Sequence, residues 1–193
     1  MPERLVDLLR HGAVEGGIRF RGCRDDPLSS EGQRQMERAM QDGSDWSAVV
    51  ASPLRRCLEF ANRLSRARDL PLSIDFAWRE REFGDWEGQA PEQIPADELT
   101  RFWTDPTRFT PPNGESYDDF RRRILTLWKT CLTTREGHTL IVTHGGVIRI
   151  IIAEVLQMSP EALLRIEVPF GSLTRIRLPD PPGVPTLVFH REI

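Results

Sequence analysis

The chain has 193 residues, of which 39% are hydrophobic and 28% are charged, and its formal net charge is −3. These values are typical of one globular domain with enough chain to bury a core. The mildly acidic balance provides no global basic field and so argues against a nucleic-acid partner, although a local group of arginines can still bind a small anion.

The cysteines and the N-terminal residues indicate where we expect the protein to work. Cys23, Cys57 and Cys131 are scattered and form no C-x-x-C pair, which predicts reduced thiols in a reducing cytoplasm. The opening stretch MPERLVDLLRHG has early acidic residues and no long apolar core, so we expect no signal peptide. We also expect no membrane partner, because no apolar run approaches the ~18 residues of a transmembrane helix.

The first part of the chain predicts strands that alternate with helices. Ser29-Ser30 followed by Gln33 resembles a capping box, and Ser52-Pro53 resembles an N-cap with proline at the first helical position. Short apolar runs predict buried strands. We therefore expect strands at 5–9, 48–51 and 72–74, a long loop at 12–27, and helices at about 31–41 and 53–66.

The second part begins with an irregular segment and then returns to regular elements. Several prolines break up residues 79–112, so only short helices are expected there. Apolar residues then recur at helical spacing from Tyr117 to Thr134. We expect helices at 91–94, 97–103, 117–134, 147–156 and 160–165, and strands at 139–143, 172–178 and 186–190, the last two strands being joined by a turn at 179–185.

This order of elements predicts an α/β fold, specifically a three-layer α/β/α sandwich with a mostly parallel central sheet and the late strands at one edge. We interpret residues 1–193 as a single domain. Ligands in such folds gather at the carboxyl ends of the strands.

Titratable residues stand at several of these strand ends. Arg10 and His11 follow the first strand, His144 follows the strand at 139–143, and Arg55-Arg56 follow the strand at 48–51. Each has an ordinary structural explanation when taken alone. Two arginines in a first helical turn oppose the helix dipole unless an anion lies nearby, however, and together these residues are hard to explain by packing.

Five stretches in this order resemble the histidine phosphatase superfamily in its phosphoglycerate mutase-like branch. They are LLRHG, GCRDDPLSSEGQRQM, SPLRRCLEFA, REREFGDWEG and IVTHGGVIR, and they span most of the chain. Within that superfamily the first loop is most similar to that of alpha-ribazole phosphatases of cobalamin biosynthesis. Val14 and Gly17 depart from the hydroxyl and amide residues of many relatives, so a phosphate contact is lost there.

The resemblance implies a role for each matching residue. His11 would be the nucleophile that becomes phosphohistidine, and Glu80 would be the general acid, with Glu82 as its competitor. The implied phosphate ligands are Arg10, Arg56 and His144, and the candidates for substrate contact are Arg19, Arg21, Glu82 and Gly145. Residues 79–114 would form a substrate cap.

The resemblance also implies the cofactors, partners and alternatives. No metal ion or cofactor is expected, because arginines supply the positive charge. The expected partners are a small phosphorylated metabolite and inorganic phosphate, and a homodimer is left open. The leading substrate is alpha-ribazole 5′-phosphate. The alternatives are a phosphatase of another sugar phosphate or of a protein, a phosphatase of broad specificity, a phosphoglycerate mutase, and a binding module without turnover.

Overall fold

The computed structural model describes residues 3–41, 44–134, 136–180 and 183–192. Within these ranges the chain forms the expected α/β/α sandwich around a mostly parallel sheet, with two antiparallel strands at one edge. The strands are β1 (Arg4–Arg10), β2 (Ala48–Ala51), β3 (Leu72–Ile74), β4 (His138–Thr143), β5 (Leu173–Leu178) and β6 (Thr186–Arg191), in the order β3-β2-β4-β1-β5-β6.

The register of the parallel strands brings several strand ends side by side. Arg10 at the end of β1 pairs with Thr143 at the end of β4. His11 and His144 therefore leave the sheet at the same level, on strands that lie about 5 Å apart. Ser52 leaves next to them after β2, which pairs with β4 on its other side.

Helices cover both faces of the sheet. Alternation along β1 sends Val6 and Leu8 into the core on one face and Leu9 into the core on the other. The helices are α1 (Ser30–Met40), α2 (Arg55–Arg68), α3 (Ala96–Thr104), α4 (Tyr117–Thr134) and α5 (Gly145–Val155), and short 3-10 turns lie at Phe76–Trp78, Gly84–Trp86, Pro91–Gln93 and Pro160–Arg165.

The helix starts test the capping predictions. Ser29 caps α1 as expected, since its hydroxyl accepts the N–H of Gly32 at 3.0 Å. The predicted Ser52 cap is wrong, because α2 begins at Arg55, with Leu54 at the N-cap position and no side-chain cap. Helix α5 begins at Gly145, two residues earlier than predicted.

Asp7 is a fully buried carboxylate in the middle of β1, and it lies in a polar network. It accepts hydrogen bonds from Nε and Nη2 of Arg175 at 2.8 and 2.9 Å and from Nε1 of Trp46 at 2.8 Å, and Nε2 of His138 lies 2.9 Å away. Burial by itself would raise the pKa of Asp7, but these partners outweigh burial and lower it.

The segment 79–114 packs against the first loop through an aromatic cluster. This cluster contains Phe20, Trp86, Ile94, Phe102 and Phe109. The buried Arg81 side chain holds the segment together by donating to the carbonyl oxygens of Glu115, Pro106 and Phe109 at 2.9 to 3.1 Å.

Two further expectations concern the chain as a whole. The predicted turn at 179–185 includes residues 181 and 182, which lie outside the described residues. Among the helices that the structure describes, none combines the length and the apolar character needed to cross a bilayer.

Candidate active site

His11 is buried at the carboxyl end of β1, with its protonation state set by its neighbours. Its Nδ1 lies 2.8 Å from the carbonyl oxygen of Gly12. Since a carbonyl oxygen can only accept, Nδ1 carries the proton, and the neutral ring leaves Nε2 with a free lone pair. Burial first, and then the positive charges of Arg56 and Arg10, hold the pKa of His11 well below its usual range. The imidazole is therefore neutral and nucleophilic near neutral pH.

Arg10 lies beside this ring with an unfilled hydrogen-bonding position. Its Nη1 donates to the carbonyl of Val168, and its guanidinium carbon lies 4.0 Å from the centre of the Phe170 ring. Its buried Nε has no hydrogen-bond partner among the described residues. Burial lowers the pKa of Arg10 to about 10, so the group remains charged at neutral pH. A buried, unpartnered donor on a cation is a natural position for an anion.

His144 and Arg56 form a second buried pair next to His11. The ring centres of His11 and His144 are 5.1 Å apart, as the strand register requires. Nε of Arg56 donates to Nδ1 of His144 at 3.3 Å, so Nε2 of His144 carries the proton and donates to the hydroxyl of Ser52 at 2.8 Å. Burial first, followed by Arg56, lowers the pKa of His144 well below its usual range.

The terminal nitrogens of Arg56 bind the first loop. Nη1 donates to the carbonyl of Arg24 at 2.6 Å, and Nη2 donates to the carbonyls of Gly22 at 2.8 Å and Arg21 at 3.3 Å. The arginine is fully buried. In this arrangement Arg56 fixes the loop and orients His144.

Glu87 ties the same loop to the segment 79–114. Its carboxylate accepts the backbone N–H groups of Gly22, Cys23 and Arg24 from the loop and of Phe83 from the segment, at 2.9 to 3.1 Å. One side chain therefore fixes the two loops relative to each other.

Glu80 reaches the cavity from the segment 79–114. Its carboxylate accepts the N–H of Gly146 at 2.9 Å and that of Arg81 at 3.0 Å. A Cβ atom on Gly146 would lie 2.2 Å from Glu80 Oε1, so a side chain at this position would displace the Glu80 carboxylate. Arg123 supports the turn by donating to the carbonyls of Ala77 and Arg79 at 2.7 and 2.9 Å.

These groups open onto a cavity of about 260 Å³, whose charged and titratable lining residues include Arg10, His11, Glu80 and Arg149. Four other lining residues, Phe20, Phe83, Phe102 and Trp103, contact one another through their rings and form the aromatic end of the cavity. Ile18 and Trp103 are 83% and 51% exposed, which places them at the entrance. Such a cavity suits a ligand with an anionic end and an apolar end.

The structure brings most of the sequence-predicted residues to this cavity. Arg19, Arg21 and Gly145 line it. Arg21 is nevertheless bound by its own loop, since its donors contact Asp26 and the carbonyls of Gly17 and Glu15.

Three predicted residues lie elsewhere. Arg56 and His144 are fully buried beside His11, and the described cavity wall does not include them. Glu82 lies outside the cavity, where its side chain pairs with Arg79 at 3.6 Å. Of the two candidate acids, only Glu80 reaches the cavity.

Sequence reasoning missed three residues that shape the site. Arg149 and Phe170 line the cavity, and Arg123 supports Glu80 from α4. A signal was available only for Arg149, which follows Gly145 by one helical turn and so shares its face of α5. Phe170 and Arg123 come from parts of the chain whose local patterns carry no such sign.

The fold and the paired strand-end histidines together define the phosphoglycerate mutase-like class of α/β proteins. Among the described residues, no group of three or more histidine, cysteine, aspartate or glutamate side chains forms a metal-ligand cluster. The family model of the histidine phosphatase superfamily (branch 1) matches residues 6–188, and the chain belongs to this superfamily.

The curated relatives carry names that describe different activities. The bifunctional protein Rv2228c of Mycobacterium tuberculosis is 35% identical over 183 residues, which cover 90% of this chain and 50% of that protein. The chain thus spans about half the length of that relative. A glucosyl-3-phosphoglycerate phosphatase of Mycolicibacterium vanbaalenii is 32% identical over 172 residues, covering 81% of this chain and 76% of that protein.

Solved structures agree on the fold. The alpha-ribazole phosphatase from Shigella flexneri superposes with a TM-score of 0.81 at 26% identity, covering 95% of this chain and 94% of that one. The mycobacterial glucosyl-3-phosphoglycerate phosphatase Rv2419c has the same TM-score and identity, covering 91% and 90% of the two chains.

Proposed function

We propose that this chain is a phosphomonoesterase that hydrolyses a small phosphorylated metabolite through a phosphohistidine on His11. The observation that carries the proposal is the hydrogen bond from Nδ1 of His11 to Gly12, which leaves Nε2 unprotonated in a cationic site. Residues 79–114 are the proposed substrate cap of a single domain spanning 1–193.

The first step transfers the phosphoryl group to the protein. Nε2 of His11 attacks phosphorus, the bond from phosphorus to the ester oxygen breaks, and a protonated Glu80 gives its proton to the leaving oxygen. Arg10 binds the phosphoryl oxygens, whose negative charge is spread in the transition state. In the second step Glu80, now a carboxylate, takes a proton from water while the water oxygen attacks phosphorus. The bond from phosphorus to Nε2 breaks, which releases inorganic phosphate and restores neutral His11.

The remaining predicted phosphate ligands, Arg56 and His144, are retained in this proposal. A contact from His144 to phosphate requires its Nε2–H to turn away from Ser52, and we retain that contact as part of the proposal. The guanidinium groups supply the positive charge, so the scheme needs no metal ion or other cofactor.

The leading substrate in this proposal is alpha-ribazole 5′-phosphate. The half-exposed ring of Trp103 at the cavity entrance supports it, because this ring offers a surface on which an aromatic group of the substrate can stack. A place in cobalamin biosynthesis and in the cytoplasm is proposed with that substrate, and the absence of a disulfide at Cys23, Cys57 and Cys131 fits a reducing compartment.

A sugar phosphate such as glucosyl-3-phosphoglycerate is the second candidate, and the 32% identical relative of that name supports it. A mutase is less favoured, although a relative from Afipia carboxidovorans carries that name at 27% identity. Release of inorganic phosphate without a bisphosphate primer distinguishes a phosphatase from a mutase. Whether the protein forms a homodimer stays a prediction.

The experiment compares wild type with H11A on p-nitrophenyl phosphate, alpha-ribazole 5′-phosphate and glucosyl-3-phosphoglycerate. We expect H11A to lose turnover on every substrate, and acid-labile phosphate to be trapped on wild type only. Full activity in H11A would refute the scheme. Equal kcat/KM for the two metabolites would refute the substrate assignment alone.

A further inference from the structure

Tyr117 is the only tyrosine of the chain, and it lines the cavity from the first position of α4. The residue is 5% exposed. Within the described part of the chain its hydroxyl forms no hydrogen bond, and the proposed scheme gives it no role. A nearly buried polar group is usually paired, so a hydroxyl left unpaired beside a cavity indicates a position for a polar group of a ligand.

Tyr117 also differs in kind from the other polar side chains of the cavity wall. Among the described lining residues it alone carries a neutral hydroxyl or amide, since the other polar ones are arginines, His11 and Glu80. Burial raises the pKa of Tyr117, so its hydroxyl keeps its proton at neutral pH. It can therefore donate one hydrogen bond and accept another without bringing a charge.

The part of the wall around Tyr117 is apolar. Tyr117 belongs to the same hydrophobic core cluster as Phe120 and Leu163, which also line the cavity. Arg81 lines the cavity too, but its guanidinium nitrogens already donate to three backbone carbonyl oxygens. A neutral polar group of a ligand fits this surroundings better than a second anionic group, which would lose its hydration without gaining a free cation.

The backbone on either side of Tyr117 is fixed, which orients the side chain before a ligand arrives. Glu115 donates its N–H to the carbonyl of Glu82 at 2.9 Å, and its carboxylate accepts Nη2 of Arg123 at 2.7 Å. The hydroxyl of Ser116 accepts a backbone N–H of the first turn of α4 at 3.1 Å. A group held in this way loses little conformational entropy on binding.

We propose that Tyr117 is a specificity-determining residue, whose hydroxyl forms a hydrogen bond with a neutral hydroxyl group on the alcohol part of the substrate. The substrate class is then a monophosphate ester of a sugar or another polyhydroxylated alcohol. This assignment rests on the proposed function for the reaction itself. An ester without that hydroxyl group gains nothing from Tyr117, so the residue favours one class of ester over the other.

The test compares ribose 5-phosphate with tetrahydrofurfuryl phosphate, which has the same five-membered ring without its hydroxyl groups. Y117F removes one oxygen atom from the cavity wall. The control T126V removes an exposed hydroxyl from the same helix. We expect Y117F to lower kcat/KM for ribose 5-phosphate about 3- to 10-fold, as loss of one hydrogen bond between neutral groups predicts. The value for tetrahydrofurfuryl phosphate should not change, and T126V should match wild type on both esters.

Equal losses on the two esters in Y117F would overturn the proposal, because they would assign Tyr117 a structural role. The absence of any loss would overturn it as well.

Calorimetry separates this proposal from the proposed function, since H11A binds the esters without turnover. The double variant H11A/Y117F should bind ribose 5-phosphate about 3- to 10-fold more weakly than H11A. If wild type hydrolyses no phosphate ester, the proposed function fails, and this comparison alone decides the role of Tyr117. Equal affinities of the two variants for ribose 5-phosphate would then refute it.

Discussion

Nε of Arg56 donates a hydrogen bond to Nδ1 of His144, and this contact fixes the tautomer of a buried histidine whose ring centre lies 5.1 Å from that of His11. Arg56 is not among the residues that line the cavity, yet it acts on both rings. It orients one of them directly, and it lowers the pKa of the other through its charge.

The first prediction concerns pH. After burial, Arg56 is the strongest cause of the low pKa of His11, so R56Q should raise that pKa. The acid limb of the profile of kcat/KM against pH should then move to higher pH. The substrate phosphate titrates identically in both assays, so the difference between them reports on the protein.

The control for this prediction is R66Q, which changes an exposed arginine later in α2. It should leave the acid limb in place. If R56Q lowers kcat/KM equally at every pH, the charge of Arg56 is not what keeps His11 neutral.

The second prediction separates Glu80 from its neighbour Glu82. E80Q should reduce kcat by about 10²- to 10⁴-fold on alkyl phosphates, whose leaving oxygen needs a proton. The loss should be much smaller on p-nitrophenyl phosphate, because nitrophenolate leaves without one. E82Q should behave like wild type on both, since Glu82 lies outside the cavity and pairs with Arg79. If E80Q lost the same activity on both substrate types, the assignment of Glu80 as the general acid would be wrong.

The third prediction concerns the aromatic end of the cavity. Trp103 is half exposed at the entrance and contacts Phe102 with ring centres 4.9 Å apart. W103A should lower kcat/KM about 10- to 100-fold for phosphate esters with a large aromatic group, through lost stacking area. The value for glycerol phosphate should change little, because that ester is too small to reach the aromatic wall. A uniform loss on both esters would mean that Trp103 supports the fold instead.

The fourth prediction concerns the buried Asp7 network. Since the pKa of Asp7 is lower in the folded than in the unfolded chain, its contribution to stability is complete above the unfolded value and is lost as pH falls below it. D7N leaves Arg175 without its buried partner and should cost about 3 to 5 kcal/mol in free energy of unfolding at pH 7.

Urea denaturation at several pH values checks this prediction. The difference between wild type and D7N should shrink as pH drops below about 4, where Asp7 of the unfolded chain takes up a proton that the folded chain still excludes. D45N, which changes an exposed aspartate, should show no such dependence. A gap that stays constant down to pH 2 would mean that packing, and not charge, explains the loss.

Much of this fold could be predicted because its elements carry local signals. The apolar run of β4, followed by His144 and two glycines, predicts a strand, its end and the following helix. His11, Arg10 and Glu80 were assigned from the motifs they stand in, and the structure places all three at the cavity.

What the sequence could not predict depends on contacts between distant residues. Nothing near Arg56 indicates that loop carbonyls more than 30 positions away occupy its donors. Ser52 resembled a helix cap, yet its hydroxyl binds a histidine 92 residues later. Likewise, no local pattern distinguishes Glu80 from Glu82. The conformation of an irregular loop decides which of the two carboxylates faces the cavity.

The carboxylate of Glu87 has a consequence for redesign. The carboxylate accepts three backbone N–H groups of the first loop and one of the segment 79–114. It therefore fixes the position of the first loop relative to this segment. Exchanging Trp103, which is half exposed and lies apart from that carboxylate, can change which substrates the protein selects while the reactive groups keep their alignment. A substitution of Glu87 would disturb both substrate specificity and catalysis. Engineering for new specificity should therefore begin at the cavity entrance and leave Glu87 unchanged.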